Sequence, residues 1–211
     1  RFLQVLHRHN IVTSIAHSDA DCRQVMHAHD LGLRCMTHFY SCMTSVQRKH
    51  AYRCAGAVEA GYLLDEMFVE VIADGSHLPA ELLQLIYKVK GARRICLITD
   101  SMCAAGMPDG EYSLGGVPCI KEDGVAKLLD RSAFAGSVAT TDMLVRTFLQ
   151  LTGAPVWDVV RMASLTPAEL MGIDSHTGSI QVGKAADLLV FDEEIQVFHV
   201  AVGGRIEFSR L

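Results

Sequence analysis

Four short apolar runs, each ending on a reactive polar residue, limit what this chain can become. IVTSIAHS carries His17, LRCMTHF carries His38, VEVIADGSH carries Asp74 and His77, and ICLITD ends at Asp100. Each run reads as a β-strand. Amphipathic helical sequence follows the first, third and fourth. Strand–helix–strand alternation of this kind predicts an α/β fold with a parallel sheet. In a parallel barrel the C-terminal strand ends share one rim, so residues far apart in sequence converge there. Two histidines and an aspartate on such a rim are the parts of a hydrolytic metal site.

The run from Arg1 to His9 has apolar residues at 2, 3, 5 and 6 and reads as a helix. Strands are expected over 11–18, 33–40, 67–73 and 94–99. A helix over 19–31 takes Ser18 or Asp19 as N-cap and stops at Gly32. Residues 41–53 are polar and basic and read as a long rim loop. Pro79 opens a helix over 80–90. Beyond Gly106, the pairs Asp109-Gly110, Gly115-Gly116 and Asp123-Gly124 predict an antiparallel ribbon. Helices return over 141–151, 155–163 and 167–171. Glycine turns and β-branched runs then mark a small β unit. The division that follows is 1–106 for strand–helix units carrying the site, 107–130 for a β-ribbon insert, 131–172 for barrel-associated helices and 173–211 for a small β-sandwich portion. A complete eight-stranded barrel needs ~250 residues, and four strand–helix units precede the ribbon. The expectation is the C-terminal half of a (β/α)8 TIM barrel. The opening RFLQVLHRHN has no signal-peptide architecture and reads as the second half of a helix.

Net charge is −5 and the basic residues are scattered, which argues against nucleic-acid or polybasic membrane partners. No apolar stretch reaches ~18 residues free of charge, so no membrane span is expected. The seven cysteines contain no CxxC pair and several lie in apolar strand runs. Reduced, buried thiols in a cytoplasmic protein are expected rather than a disulfide framework.

An unactivated amide resists water at neutral pH, and a divalent cation lowers the pKa of bound water toward ~7. Neutral imidazoles suit zinc or ferrous iron. A lone histidine at a strand end is usually structural. Two on successive parallel strands, followed by DGSH and ITD, point to ligation. Asp100 could cap the turn that follows it or serve as a carboxylate that moves protons during hydrolysis. Asp74 alone reads as a turn residue. Arg53 lies near Arg48, Lys49 and His50, a solvated cluster or an anion site. Ser137 reads as a cap. The pairs His7/His9 and His27/His29 are two apart, which on a helix separates their faces.

AHSDA, MTHFYSCM, ADGSHLP, LITDSMCAAG and AFAGSVATTDM, in this order, resemble the N-acetylglucosamine-6-phosphate deacetylase family of the amidohydrolase superfamily. The tail SLTPAELMGIDSHTGSIQVGKAADLLVFD is similar to the superfamily's C-terminal signature. The resemblance runs from about Ile11 to the chain end. It implies a metal-dependent (β/α)8 barrel with a small β-sandwich, a divalent metal (zinc or iron), a homodimer and a phosphosugar substrate. The implied reaction is hydrolysis of the N-acetyl amide of N-acetylglucosamine 6-phosphate to glucosamine 6-phosphate and acetate. An amidohydrolase for another amide or cyclic imide, or a non-catalytic remnant, are the alternatives. By motif match, His17 and His38 are metal ligands and Asp100 is the catalytic acid–base. The turn Asp74, Gly75, Ser76 and His77 contacts the sugar, and Arg53 holds the phosphate, in related enzymes across the dimer interface. Phe134, Ala135 and Gly136 line the pocket. Ser41 and Cys42 stand where the family usually has Asn-Ala. The family's carboxylate metal ligand and one substrate-binding histidine lie on strands upstream of this sequence.

Overall fold

The computed structural model describes residues 1–210. In chain order, α1 (Phe2–Arg8) leads into β1 (Ser14–Ile15), α2 (Cys22–Asp30) and β2 (Cys35–Met36). A ribbon of β3 (Gln47–Lys49) and β4 (Tyr52–Cys54) follows, then α3 (Ala57–Leu63), β5 (Phe68–Val71), α4 (Ala80–Lys90) and β6 (Ile95–Leu97). The three strands β7 (Gly110–Leu114), β8 (Val117–Glu122) and β9 (Val125–Leu128) precede the helices α5 (Thr141–Thr152), α6 (Val156–Ala163) and α7 (Leu165–Met171). The chain closes with β10 (Leu188–Phe191), β11 (Val197–Val202) and β12 (Arg205–Ser209).

A four-stranded sheet in the order β1-β2-β5-β6 is parallel throughout. Its residues alternate, as a pleated strand requires. Met36, Val69, Val71, Ile95 and Leu97 face the helices and join one core with Val25, Val58, Leu83, Ile86, Leu144, Phe148 and Met162. Cys35, Glu70 and Cys96 alternate with them and stay out of that core. The helix layer is cross-tied. Lys90 Nζ, at the end of α4, donates to the carbonyls of Gly61 (2.9 Å) and Leu64 (2.7 Å) at the C-terminal end of α3. These are carbonyls that an α-helix leaves without internal partners. Gly61 itself admits close packing, since a Cβ there would lie 2.6 Å from Met36 Sδ and 2.7 Å from Phe39 Cε2.

Several expectations need correction. The ladders are shorter than the apolar runs at both ends, with only Ser14–Ile15 of 11–18 and Cys35–Met36 of 33–40 in strand. The N-cap of α2 is Asp21, not Ser18 or Asp19. Its carboxylate accepts the Gln24 N–H at 3.0 Å while Gln24 accepts the Asp21 N–H at 2.9 Å, a reciprocal capping box. Residues 41–53 are not a plain loop, for β3 and β4 pair antiparallel with Arg48 opposite Arg53. Pro79 is the N-cap of α4, one position before the first helical residue. Helix α7 starts at Leu165, two residues before Pro167, and ends at Gly172 in the left-handed conformation. Not every thiol is buried: all seven are free, and Cys42 and Cys103 are exposed.

The ribbon read between Met107 and Asp130 is the antiparallel sheet β7-β8-β9, and the C-terminal β unit is the sheet β10-β11-β12. No helix among the described residues is long and apolar enough to cross a membrane.

Candidate active site

The candidate residues leave the ends of the parallel strands. His17 follows β1, His38 follows β2, Asp74 and His77 follow β5, and Asp100 follows β6. Three of them share an uncommon backbone state. His17 has φ 44°, His38 φ 34° and Asp100 φ 50°. In this left-handed region a Cβ crowds the carbonyl that follows, at a cost of roughly 1–2 kcal/mol per residue. Strain of this kind persists only where the surroundings enforce it, and it gathers at functional sites.

The surroundings are visible at each exit. Ser18 N–H donates to the Cys42 carbonyl at 3.0 Å, which ties the end of β1 to the segment after β2. Phe39 N–H donates to the Glu70 carbonyl at 2.7 Å, and Ser41 N–H to the His38 carbonyl at 2.9 Å. Ser137 N–H donates to the Asp100 carbonyl at 2.8 Å, and the Ser137 hydroxyl donates to the Thr99 carbonyl. Ser137 therefore fastens the 134–139 segment alongside Asp100, and its side chain is fully engaged there. A Cβ on Gly136 would come 3.0 Å from that same Asp100 carbonyl, so the turn approaches as closely as glycine permits.

The structure brings His17 and His38 together. Their rings stack with centroids 4.8 Å apart and planes inclined by 23°. His38 is buried, and its Nδ1 has no hydrogen-bond partner. A buried ring nitrogen without a partner is the kind of atom that a cation or further polypeptide satisfies. A cavity of about 440 Å³ opens beside the pair, lined by His17, Ser18, Asp19, Cys42, Met43 and Thr44. No third ligand joins: among the described residues no three His, Cys, Asp or Glu side chains are grouped to hold a metal ion. Two imidazoles side by side are a donor set of the kind that zinc or ferrous iron accepts. Asp100 is exposed at the end of β6, with β5 lying between that strand and β2.

Asp74 and His77 form a second unit. Asp74 Oδ1 accepts the N–H groups of Ser76 and His77, each at 2.9 Å, and Oδ2 meets His77 Nδ1 at 2.7 Å. Burial pushes the Asp74 carboxyl up, but these hydrogen bonds prevail and hold it below the usual carboxylate range. The His77 ring lies against Phe134 with centroids 4.5 Å apart. That contact joins the 74–77 turn to the 134–136 turn, two segments picked out separately in the sequence. Ser41 and Cys42 flank the imidazole pair. Arg53 is exposed on its own two-stranded ribbon, facing Arg48 across the ladder. No carboxylate pairs with either guanidinium among the described residues.

Sequence reasoning did not single out Glu70, a carboxylate inside the apolar run MFVEVIA that burial pushes up.

Comparison with known proteins follows the same lines. The Amidohydrolase family pattern matches residues 7–206. The N-acetylglucosamine-6-phosphate deacetylase of Vibrio furnissii is 35% identical over 207 residues, 98% of this chain and 50% of its own length. The N-acetylgalactosamine-6-phosphate deacetylase of Escherichia coli O157:H7 is 35% identical over 202 residues, 95% of this chain and 52% of its own. Among solved structures, a variant of the Mycobacterium smegmatis N-acetyl-D-glucosamine-6-phosphate deacetylase, in complex with N-acetyl-D-glucosamine-6-phosphate, superposes with a TM-score of 0.91 at 29% identity. That superposition covers 99% of this chain and 54% of the solved one. The chain spans about half the length of the curated relatives it matches.

Proposed function

This chain belongs to the amidohydrolase family, and from that premise we propose that it serves a metal-dependent deacetylase acting on N-acetylglucosamine 6-phosphate. The products are glucosamine 6-phosphate and acetate. The observation that carries the reading is the stacked pair of His17 and His38, held in left-handed backbone at the ends of adjacent parallel strands. In this reading the parallel strands are the C-terminal half of a (β/α)8 barrel. Residues 1–106 carry the site, 107–130 form an inserted ribbon, 131–172 supply barrel-associated helices, and 173–211 join a small β-sandwich.

His17 and His38 would hold a divalent cation, zinc or iron, which would supply Lewis acidity for amide hydrolysis. Asp100 takes the proton released as water attacks the acetyl carbon. It then delivers that proton to the departing nitrogen, because an amine anion is a very poor leaving group. Asp74 fixes His77: a carboxylate only accepts, so Nδ1 carries the hydrogen and Nε2 of the neutral ring is left to accept from a sugar hydroxyl. Phe134, packed against His77 with its ring tilted by 35°, covers the sugar with Ala135 and Gly136. Ser41 and Cys42 contact the substrate beside the imidazole pair. Arg53 holds the 6-phosphate from its ribbon, across the interface of a homodimer. Free thiols and a phosphorylated substrate both suit the cytoplasm.

The test is acetate release by the full-length protein from N-acetylglucosamine 6-phosphate and from its unphosphorylated counterpart, with metal content measured alongside. Turnover with stoichiometric metal and strong preference for the phosphorylated sugar is expected. Equal turnover of both sugars would remove the phosphosugar assignment. Full activity in thoroughly metal-free protein would remove the metal.

A further inference from the structure

The basic ribbon of β3 and β4 stands on a closed base. Thr44 and Ser45 lead into it, and Ala55 and Gly56 lead out. Gly56 is the N-cap of α3 and brings no side chain to cap it with. The first amides of a helix have no internal acceptors, and here Gly56, Ala57 and Val58 are all buried. Ala57 N–H donates to the Thr44 hydroxyl oxygen at 2.9 Å, and Val58 N–H donates to the Thr44 carbonyl at 3.0 Å. Gly56 N–H donates to Glu59 Oε2 at 2.6 Å, and Oε1 of the same carboxylate accepts from the Ser45 hydroxyl at 2.7 Å. A Cβ on Gly56 would lie 2.4 Å from the Thr44 carbonyl, so only glycine lets the two arms of the ribbon meet here.

Thr44 reaches the imidazole pair's side as well. Its hydroxyl donates to the carbonyl of Ala20, three residues beyond His17. Ser18 bridges Met43 in parallel and Asp21 bridges Gly56 antiparallel, which sets 18–21 between 42–44 and 55–57. Cys22 N–H adds a bond to the Ala55 carbonyl at 3.2 Å. Thr44 also lines the cavity that opens beside His17. One hydroxyl thus gives its hydrogen to the segment after His17 and its oxygen to the helix start that follows Arg53. A valine at position 44 has nearly the same shape but does neither, and would leave the buried Ala57 amide unpaired.

We infer that Thr44 is the positioning residue of the ribbon, its hydroxyl fixing the arm that carries Arg53 against the segment that carries His17. What the ribbon is for rests on the phosphosugar reading above. The bonds at Thr44 do not depend on it.

Thr44→Ser keeps both hydroxyl bonds, and Thr44→Val removes both. In the full-length protein, T44V is expected to raise KM for N-acetylglucosamine 6-phosphate about tenfold or more while kcat stays within about threefold. Zinc content and KM for the unphosphorylated sugar are expected to stay at wild-type values in T44V, and T44S is expected to match wild type throughout. In an Arg53→Ala background T44V should raise KM no further, because both changes act through one contact. Hydrogen exchange at the Ala57 amide is expected to be slow in wild type and T44S and fast in T44V. Wild-type KM in T44V, an equal rise for both sugars, additive effects of T44V and R53A, or fast Ala57 exchange in wild type would each overturn the proposal. If T44V fails to fold, Thr44→Ala, which lacks the hydroxyl without added bulk, is judged by the same outcomes. If wild type shows no preference for the phosphorylated sugar, the phosphosugar reading fails, and exchange at Ala57 and across 47–54 decides whether Thr44 holds the ribbon.

Discussion

The imidazole of His17 lies on that of His38, centroids 4.8 Å apart, although 20 residues separate them in the chain. The contact exists because β1 and β2 are adjacent and parallel and release both rings at the same end. If the pair grips a cation, neither ring suffices alone. His17→Ala and His38→Ala are each expected to abolish stoichiometric zinc, read by elemental analysis after dialysis. Full zinc retention in either variant would contradict ligation.

Asp100 is assigned a proton, not a ligand bond. Asp100→Asn keeps the shape and the main-chain hydrogen bond from Ser137. Turnover should fall about 10²–10⁴-fold, the usual size of a lost general acid–base, with zinc content unchanged. Loss of zinc together with activity would transfer Asp100 to the ligand shell.

Asp74 organises its turn through three hydrogen bonds. Asp74→Ala is expected to raise KM more than it lowers kcat, and to destabilise the protein by about 1–3 kcal/mol. The pH dependence has a definite sign. The folded carboxyl lies below the ordinary 3.8, so the native state releases its proton more readily. Its stabilisation is complete above that ordinary value and vanishes as pH falls through the lower folded value. Acid denaturation of D74A should therefore show a shallower slope below pH ~4 than wild type.

Lys90 has the opposite electrostatic history. Burial pushes its ammonium down from 10.5 to about 8. Between those values the unfolded chain still binds the proton and the folded chain has lost it, so stability rises with pH across that window. Chemical denaturation at pH 7.5 and pH 10 should show this rise, and Lys90→Met should flatten it. An unchanged slope in K90M would place the effect elsewhere.

Gly61→Ala tests the packing beneath the site. The new methyl meets the Phe39 ring, which is fully buried and follows His38 directly. A loss of about 1–3 kcal/mol is expected by thermal unfolding, as for overpacked cores generally. Because Phe39 must shift, zinc affinity should fall as well.

The parallel sheet was legible because apolar runs of strand length alternate with 3.6-residue periodicity, and the buried faces of Val69, Val71, Ile95 and Leu97 follow from that alternation. The hairpin over 47–54 was hidden, since its tight turn is His50-Ala51 rather than a glycine or asparagine pair. His50 takes the left-handed conformation itself, at φ 54°. The α2 cap was misread although Asp21 and Gln24 have capping-box spacing, because two earlier polar residues competed for the position. Of the candidate site, the strand-end donors could be read directly. The contact between His77 and Phe134 could not, because it depends on how the segment after β9 returns to the sheet.

The left-handed backbone at His17, His38 and Asp100 means that glycine is the residue best suited to each of these positions on conformational grounds alone. A glycine at any one of them should melt later than the corresponding alanine while lacking the polar side chain that the chemistry needs. Selection for thermal robustness alone would therefore drift toward an inert protein of the same shape. Consensus stabilisation of this scaffold should leave positions 17, 38 and 100 untouched.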